Sequence, residues 1–386
     1  MVLRNVARIG FWGSVGLLAW VHAAFPAVVL LRAWLRPRPV TSGPITPAVS
    51  VIIAAHDEGE HIADRVENLM AQEYPADAIE IIIASDGSTD DTVAAAEAAA
   101  EGDGRVRILA LPRMGKIAAL DAAVHEAGGE ILIFTDANSA FAEDAIAQLV
   151  MPFADPGVGG VAGDQRYLHD GEGAGERGFW SLDRVIKGAE SAAGSTISAT
   201  GAIYAIRRQL YARVPAGVTD DFAISTGVVA AGRRLVFAPD AVAWERVADT
   251  GAREYARKVR IITQGLQGVR LRSALLDPRR TGFYAVQLLT HKLLRRLGVV
   301  PLLIIAASTP FLAPRGSFYR LAMAAQTVVY GLGIAGLAAR GRSARLPLLD
   351  IPGFFCLVNA AALHALWNTL RGRRIERWDP ERGEHT

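Results

Sequence analysis

Cysteine is almost missing from this chain of 386 residues: Cys356 is the single one, which excludes an intrachain disulfide framework and any zinc site built from several thiolates. It lies in an apolar run, where a thiol packs as a small hydrophobe. Net charge is scarce as well. The 41 Lys and Arg nearly cancel the 39 Asp and Glu to leave +2, and the arginines gather beside apolar runs, so nucleic acid is not an expected partner. No GxGxxG follows the first strand-like run, which argues against a dinucleotide-binding sheet, and Gly115-Lys116 lacks the spacing of a full P-loop.

What the chain has in excess is apolar sequence, 51% of its residues. Ile9 to Leu31 carries no Asp, Glu, Lys or Arg and meets the requirement of about 20 residues for spanning a bilayer. It exceeds a signal-peptide core of about 7–15 residues and is followed by Arg32, Arg36 and Arg38 instead of a small-residue cleavage site, so an anchor is expected. Three more runs, Leu297 to Pro314, Leu321 to Ala339 and Ile351 to Leu370, approach spanning length. The positive-inside rule puts Arg32, Arg36 and Arg38, the polar middle, and Arg340, Arg342 and Arg345 on the cytoplasmic side. Three C-terminal spans would then send Arg371, Arg373, Arg374 and Arg377 outside against the same rule, so one run is expected to be re-entrant or interfacial. Phe283 to Leu297 mixes apolar residues with His291, Lys292, Arg295 and Arg296, the pattern of an amphipathic interfacial helix. The expected order is an anchor at 1–36, a linker at 37–47 with four prolines, a cytoplasmic α/β domain at 48–280, an interfacial helix at 281–296, membrane helices at 297–370 and a basic tail at 371–386, in the inner (plasma) membrane with several spans.

Within the middle, Val49 to Ala55, Ile79 to Ala84, Arg105 to Leu111 and Glu130 to Thr135 are short apolar runs alternating with helical stretches, which predicts a mainly parallel sheet. Ligands of such sheets bind beyond the carboxyl ends of the strands, and those ends carry Asp57 and Glu58, Asp86, and Asp136. Uncompensated carboxylates gathered in one crevice call for a cation or many hydrogen-bond donors, hence a divalent metal or a polyhydroxylated ligand. Each acid taken singly also fits a local role: Asp86 with Ser88 as an Asx-type turn at Gly87, Asp90 or Asp91 as a helix cap. Asp136 and Asn138 are two apart, so in an extended segment both side-chain oxygens face one ion, and Mg²⁺ or Mn²⁺ accepts such oxygen donors with phosphates and water completing the shell. Lys116, before a helical stretch, is a candidate phosphate partner.

Taken in order, SVIIAAHDEGEHI, ASDGSTDDT, GKIAALDAAV, FTDANS, ATGAIYAIRR, TDDF and ARKVRIITQGL resemble the inverting family 2 glycosyltransferases of GT-A fold, in particular their membrane-integrated polysaccharide-synthase-like branch, over residues 48–270. The resemblance implies a nucleotide-diphosphate sugar as donor, UDP-linked, and a glycan or lipid-linked acceptor among membrane lipids. It implies that Asp57, Glu58, Asp86, Lys116 and Asp136 hold the donor, that Asp136 and Asn138 bind Mg²⁺ or Mn²⁺, and that Asp221, the last acid of Thr219-Asp220-Asp221, is the general base. Asp220, Thr200, Gly201, Arg257 and Arg260 fall on the acceptor or diphosphate side. The processive members' QxxRW is here Arg257-Lys258-Val259-Arg260-Ile261, which keeps only the arginine, so processive synthesis is not implied; the same cluster also suits a basic face on anionic lipid. Read from the residues alone, Asp220 and Asp221 also suit a helix N-terminus. Two alternatives keep the acids in other roles: a Mg-dependent phosphotransfer site around Asp136 and Lys116, and a non-catalytic membrane scaffold on a transferase fold.

Overall fold

The computed structural model describes residues 2–168, 174–246, 251–339 and 347–373. The chain divides into two units. Among the described residues, one comprises 29–246 and 271–286, and the other 2–28, 251–270 and 287–373.

The first unit is built on an eight-stranded sheet. Its strands are β1 (Val49–Ala55), β2 (Ile79–Asp86), β3 (Val106–Leu111), β4 (Ile131–Thr135), β5 (Ser139–Phe141), β6 (Val158–Leu168), β7 (Tyr204–Arg207) and β8 (Arg234–Arg246), in the order β3-β2-β1-β4-β7-β6-β8-β5. β1 to β4 are mutually parallel, as the unbroken apolar runs predict. Helices cover both faces. Val49, Val51 and Ile53 enter one hydrophobic cluster while Ile52 and Ala54 enter the other, the period-two alternation of a strand buried on both sides.

The register places the site. Ala55 lies beside Ser85, and Ile53 beside Thr135, so the carboxyl ends of β1, β2 and β4 open on one edge. β7 runs antiparallel to β4 with Tyr204 opposite Phe134, so its amino end reaches that same edge and carries Thr200 and Gly201 there. Beyond β7 the sheet turns mixed: β6 pairs antiparallel with β7 and parallel with β8, and β5 pairs antiparallel with β8.

In the second unit, helices dominate. Among the described residues, three helices are long and apolar enough to cross a membrane: Val2–Leu35, Ser317–Ala339 and Leu349–Leu370. The run at Leu297 to Pro314 is the second arm of a bent pair: Phe283–Leu294 and Val299–Arg315 meet at 59°, a broken span or a re-entrant loop, which makes it a candidate for the one run expected to be re-entrant or interfacial. Inside this unit Gly333 packs on the Cys356 thiol, and a Cβ on Gly336 would stand 2.5 Å from the Leu349 carbonyl. Small residues are what allow two membrane helices to approach so closely.

Candidate active site

At the end of β1 the backbone turns through Asp57, which holds a left-handed φ of 52°. Asp tolerates that region better than most residues because its short side chain bonds locally. Here the Asp57 carboxylate accepts from the Thr89 amide at 2.6 Å, and the Asp57 amide donates to Ser88 Oγ at 3.1 Å. The first strand's acid therefore braces the loop after the second strand. Asp86 does the same one loop further on. Its fully buried carboxylate accepts from the amides of Met114 at 2.6 Å and Gly115 at 2.8 Å and sits 3.2 Å from the Arg113 guanidinium. Gly87, at φ 63°, is required in that turn, since a Cβ there would lie 2.7 Å from the Arg113 amide nitrogen.

Glu58 is different. Its amide donates to Thr92 Oγ1 at 2.8 Å, but among the described residues no donor rests on its carboxylate. Burial, then the nearby Asp136 and Asp90, push that carboxyl up to about 7, against the pull of Lys116.

Lys116 opens the helix Lys116–Glu126 and reaches back across the strand ends. Its ammonium meets Asp136 at 2.7 Å and Asp220 at 3.3 Å. Burial opposes the charge, yet Asp136, Asp220 and Asp221 outweigh it and hold the ammonium above the ordinary lysine range. One cation thus joins the parallel half of the sheet to the helix Asp220–Ala230, 84 residues away as Asp136 and Asp220 are numbered (220 − 136). At the start of that helix Asp221 accepts from the Phe222 amide at 2.7 Å, and Thr219 stands at the cap position without a side-chain capping bond. Asp220 and Asp221 do occupy a first helical turn, where the dipole favours acids, and Asp220 also serves Lys116.

Gly201 approaches Asp136 so closely that a Cβ would stand 2.7 Å from Oδ2. Thr200 Oγ1, Ser139 Oγ and the Tyr204 hydroxyl are buried around this edge with no partner among the described residues. Such orphan groups are rare in folded proteins and point to a polar ligand or ordered water. Tyr204, stacked on Phe134 at 5.0 Å, has its phenol held well above the usual tyrosine range by burial and then by Asp220, Asp221 and Asp136.

Asn138 departs from the strand geometry expected of it. β4 ends at Thr135 and β5 starts at Ser139, so residues 137–138 form a turn and the alternation argument for Asp136 and Asn138 does not apply. The Asn138 amide lies 3.5 Å from Glu245 on β8, which also takes a hydrogen bond from Gln165 on β6. Among the described residues no group of three or more His, Cys, Asp or Glu is placed to hold a metal ion. The donor set, one half-exposed carboxylate and one exposed amide at a cradle closed by Gly201, fits an ion of the Mg²⁺ kind that takes one or two protein oxygens and fills its shell with phosphate and water.

Arg257 and Arg260 lie on the helix Gly251–Leu271, mostly within the second unit. Residues not foreseen from sequence include Arg65, Asn68, Arg113, Tyr204 and Glu245. Only Arg65 left a signal: it shares the buried stripe Ile62, Arg65, Val66, Leu69 of its helix, a cation where an apolar residue is expected.

The sequence profile described as Glycosyl transferase family 2 matches residues 50–214. The poly-beta-1,6-N-acetyl-D-glucosamine synthase of Staphylococcus aureus is 25% identical over 240 residues, 60% of this chain and 57% of that protein. An N-acetylglucosaminyltransferase of Rhizobium meliloti is 26% identical over 231 residues, 55% of this chain and 54% of that protein. The chain spans little more than half the length of these curated relatives. Among solved structures, the mannosyltransferase PcManGT from Pyrobaculum calidifontis, in complex with GDP-Man and Mn²⁺, superposes with a TM-score of 0.72 and 26% identity over 96% of this chain and 100% of that one. The mixed sheet with its parallel core is the GT-A type that the sequence motifs imply.

Proposed function

We propose, from the premise that this chain belongs to glycosyl transferase family 2 through residues 50–214, that it moves a sugar with inversion from a nucleoside-diphosphate donor, UDP-linked, to a glycan or lipid-linked acceptor in cell-envelope polysaccharide or glycolipid synthesis. The observation that carries the reading is the Lys116 bridge, 2.7 Å to Asp136 and 3.3 Å to Asp220, with Asp221 next in sequence. An inverting transfer needs a cation where the diphosphate gathers charge and a carboxylate where the acceptor loses its proton, and the bridge joins those two places.

Asp57, Glu58 and Asp86 form the nucleotide side. Asp221 takes the proton of the acceptor hydroxyl as its oxygen attacks the anomeric carbon, and the bond from that carbon to the diphosphate oxygen breaks on the opposite face. Lys116 turns its ammonium to the departing diphosphate, and Asp220, Thr200 and Gly201 lie on the acceptor and diphosphate side. Asp136, with Asn138, would hold Mg²⁺ or Mn²⁺, which when bound supplies further charge neutralisation on the diphosphate.

The catalytic domain is cytoplasmic in this reading, at the inner membrane, because Arg32, Arg36 and Arg38 follow the first span. Taking the bent pair as re-entrant leaves two C-terminal crossings and returns the tail, with five arginines, to the cytoplasm. Arg340, Arg342 and Arg345, expected on the cytoplasmic side, then fall outside, the lesser violation of the rule.

Radiolabel transfer from a panel of nucleotide sugars into lipid and polymer fractions tests the proposal, with Asp221→Asn in parallel. Label entering a lipid or glycan fraction, lost in the variant, is the expected result. Equal transfer by the variant removes the base assignment, and an Asp136-centred phosphotransfer site would be indifferent to the change.

A further inference from the structure

Arg65 is 2% exposed, on the inner stripe of the helix Gly59–Met70. Its guanidinium donates to Asn68 Oδ1 at 2.6 Å and to Thr135 Oγ1 at 2.7 Å and lies over the Phe141 ring at 4.1 Å. No carboxylate touches it among the described residues. Taking an ion out of water costs several kcal/mol after relaxation, and neutral partners offset only part of that. The acid nearest in effect is Asp136, whose attraction counters the burial.

The two hydrogen bonds end on the two ends of one turn. Thr135, which accepts from Arg65, donates to the Ala202 carbonyl at 2.7 Å, next to the Gly201 that abuts Asp136. Asn68, which also accepts from Arg65, pairs with both backbone groups of Phe141, at 2.8 Å and 2.9 Å. Residues 135–141, with Asp136 and Asn138 between, are therefore clamped from behind by a single buried cation.

We infer that Arg65 is a positioning residue for the acid turn: through Thr135 and Asn68 it fixes Asp136 against Gly201, and Asn138 two residues on in the same turn, in the orientation that a divalent ion and the donor diphosphate require. The inference rests on the proposed function. Outer partners of metal ligands typically change metal affinity about 10- to 100-fold when removed, and Arg65 occupies that place. Its charge alone would act the other way, since deleting a cation behind a carboxylate makes a second cation bind more tightly.

The two effects differ in sign, which makes the test decisive. Binding of UDP to the full-length protein in detergent is measured by calorimetry across a Mn²⁺ titration, for the wild type, Arg65→Met, Arg65→Lys and Thr135→Val. In Arg65→Met both former partners keep a second hydrogen bond, so the fold is expected to survive. The Mn²⁺ needed for half-maximal UDP binding is expected to rise about tenfold or more in Arg65→Met, less in Arg65→Lys, and to rise in Thr135→Val, with Mn²⁺-free UDP binding unchanged. An unchanged or lowered Mn²⁺ requirement in folded Arg65→Met overturns the positioning role. Should Arg65→Met not fold, the same outcome in Thr135→Val overturns it. A wild type that binds no nucleoside diphosphate with Mn²⁺ strikes the proposed function first, and this inference with it.

Discussion

The two halves of the catalytic sheet treat their carboxylates in opposite ways. In the parallel half, Asp57 and Asp86 are consumed by backbone amides of neighbouring loops, 2.6 Å from Thr89 and 2.6 Å from Met114, and so act as struts. At the mixed half, Asp220 and Asp221 begin a helix, and Asp220 faces a lysine that it shares with Asp136. An acid held by rigid amides keeps its place whatever binds. A long, flexible ammonium, by contrast, can exchange its carboxylate partner for a phosphate, as a reaction needs. On the proposed function, the contrast divides the site into a scaffold for the nucleotide and a mobile charge pair for the chemistry.

Asp221→Asn breaks the comparison at its sharpest point. Removing a general base typically lowers kcat about 10²- to 10⁴-fold, and UDP binding by calorimetry is expected to stay within about twofold because the strut acids are untouched. A matched loss of UDP affinity would mean that the halves are not separate. Lys116→Met should follow, with kcat down about 10²- to 10³-fold in the same transfer assay, as when one charge-stabilising donor is removed. It also leaves Asp136 and Asp220 without the cation between them, so Mn²⁺ should bind more tightly at Asp136 while UDP binding without Mn²⁺ weakens.

The parallel half was readable from sequence because each of its strands is a local apolar run, and β1, β2 and β4 each end at or beside an acid. β1, β2 and β4 begin and end within two residues of the expected limits. The mixed half was not, because β6, β7 and β8 owe their places to long-range pairing. β7 is only Tyr204–Arg207, too short for periodicity to show. The same cause explains the site. Asp57, Asp86, Asp136 and Lys116 stand at punctuation marks in the sequence, whereas the partnership of Lys116 with Asp220 exists only once the sheet has formed. Asn138 departs from expectation for a local reason: spacing i, i+2 points two side chains the same way only in a strand, and here the chain turns between β4 and β5. The bend of 59° between Phe283–Leu294 and Val299–Arg315 was hidden likewise, since hydropathy counts apolar residues and is blind to helix direction.

Asp86→Ala tests the strut from the stability side. It leaves the Met114 and Gly115 amides without their acceptor, and an unsatisfied buried donor costs about 1–3 kcal/mol. A lower thermal midpoint together with weakened UDP binding is expected, the reverse of the Asp221→Asn pattern. An unchanged midpoint would show that the loop does not depend on Asp86.

Glu58 gives the smallest and most specific effect, because among the described residues no donor rests on its carboxylate. Burial first, then Asp136 and Asp90, raise its carboxyl from 4.5 to about 7, so between those values the folded protein keeps a proton that the unfolded chain has released. Where the folded state binds more protons, stability falls as pH rises. The wild type is therefore expected to lose stability relative to Glu58→Gln from about pH 4.5 to about pH 7, with the difference constant outside that window. The measurement is the thermal midpoint of both proteins across pH 4 to 8, roughly the span that brackets the two values. A constant difference throughout would mean that Glu58 is ionised at neutral pH. It would then belong with Asp57 and Asp86 as a third fixed charge, and the parallel half would present the donor with one more anion than the geometry implies.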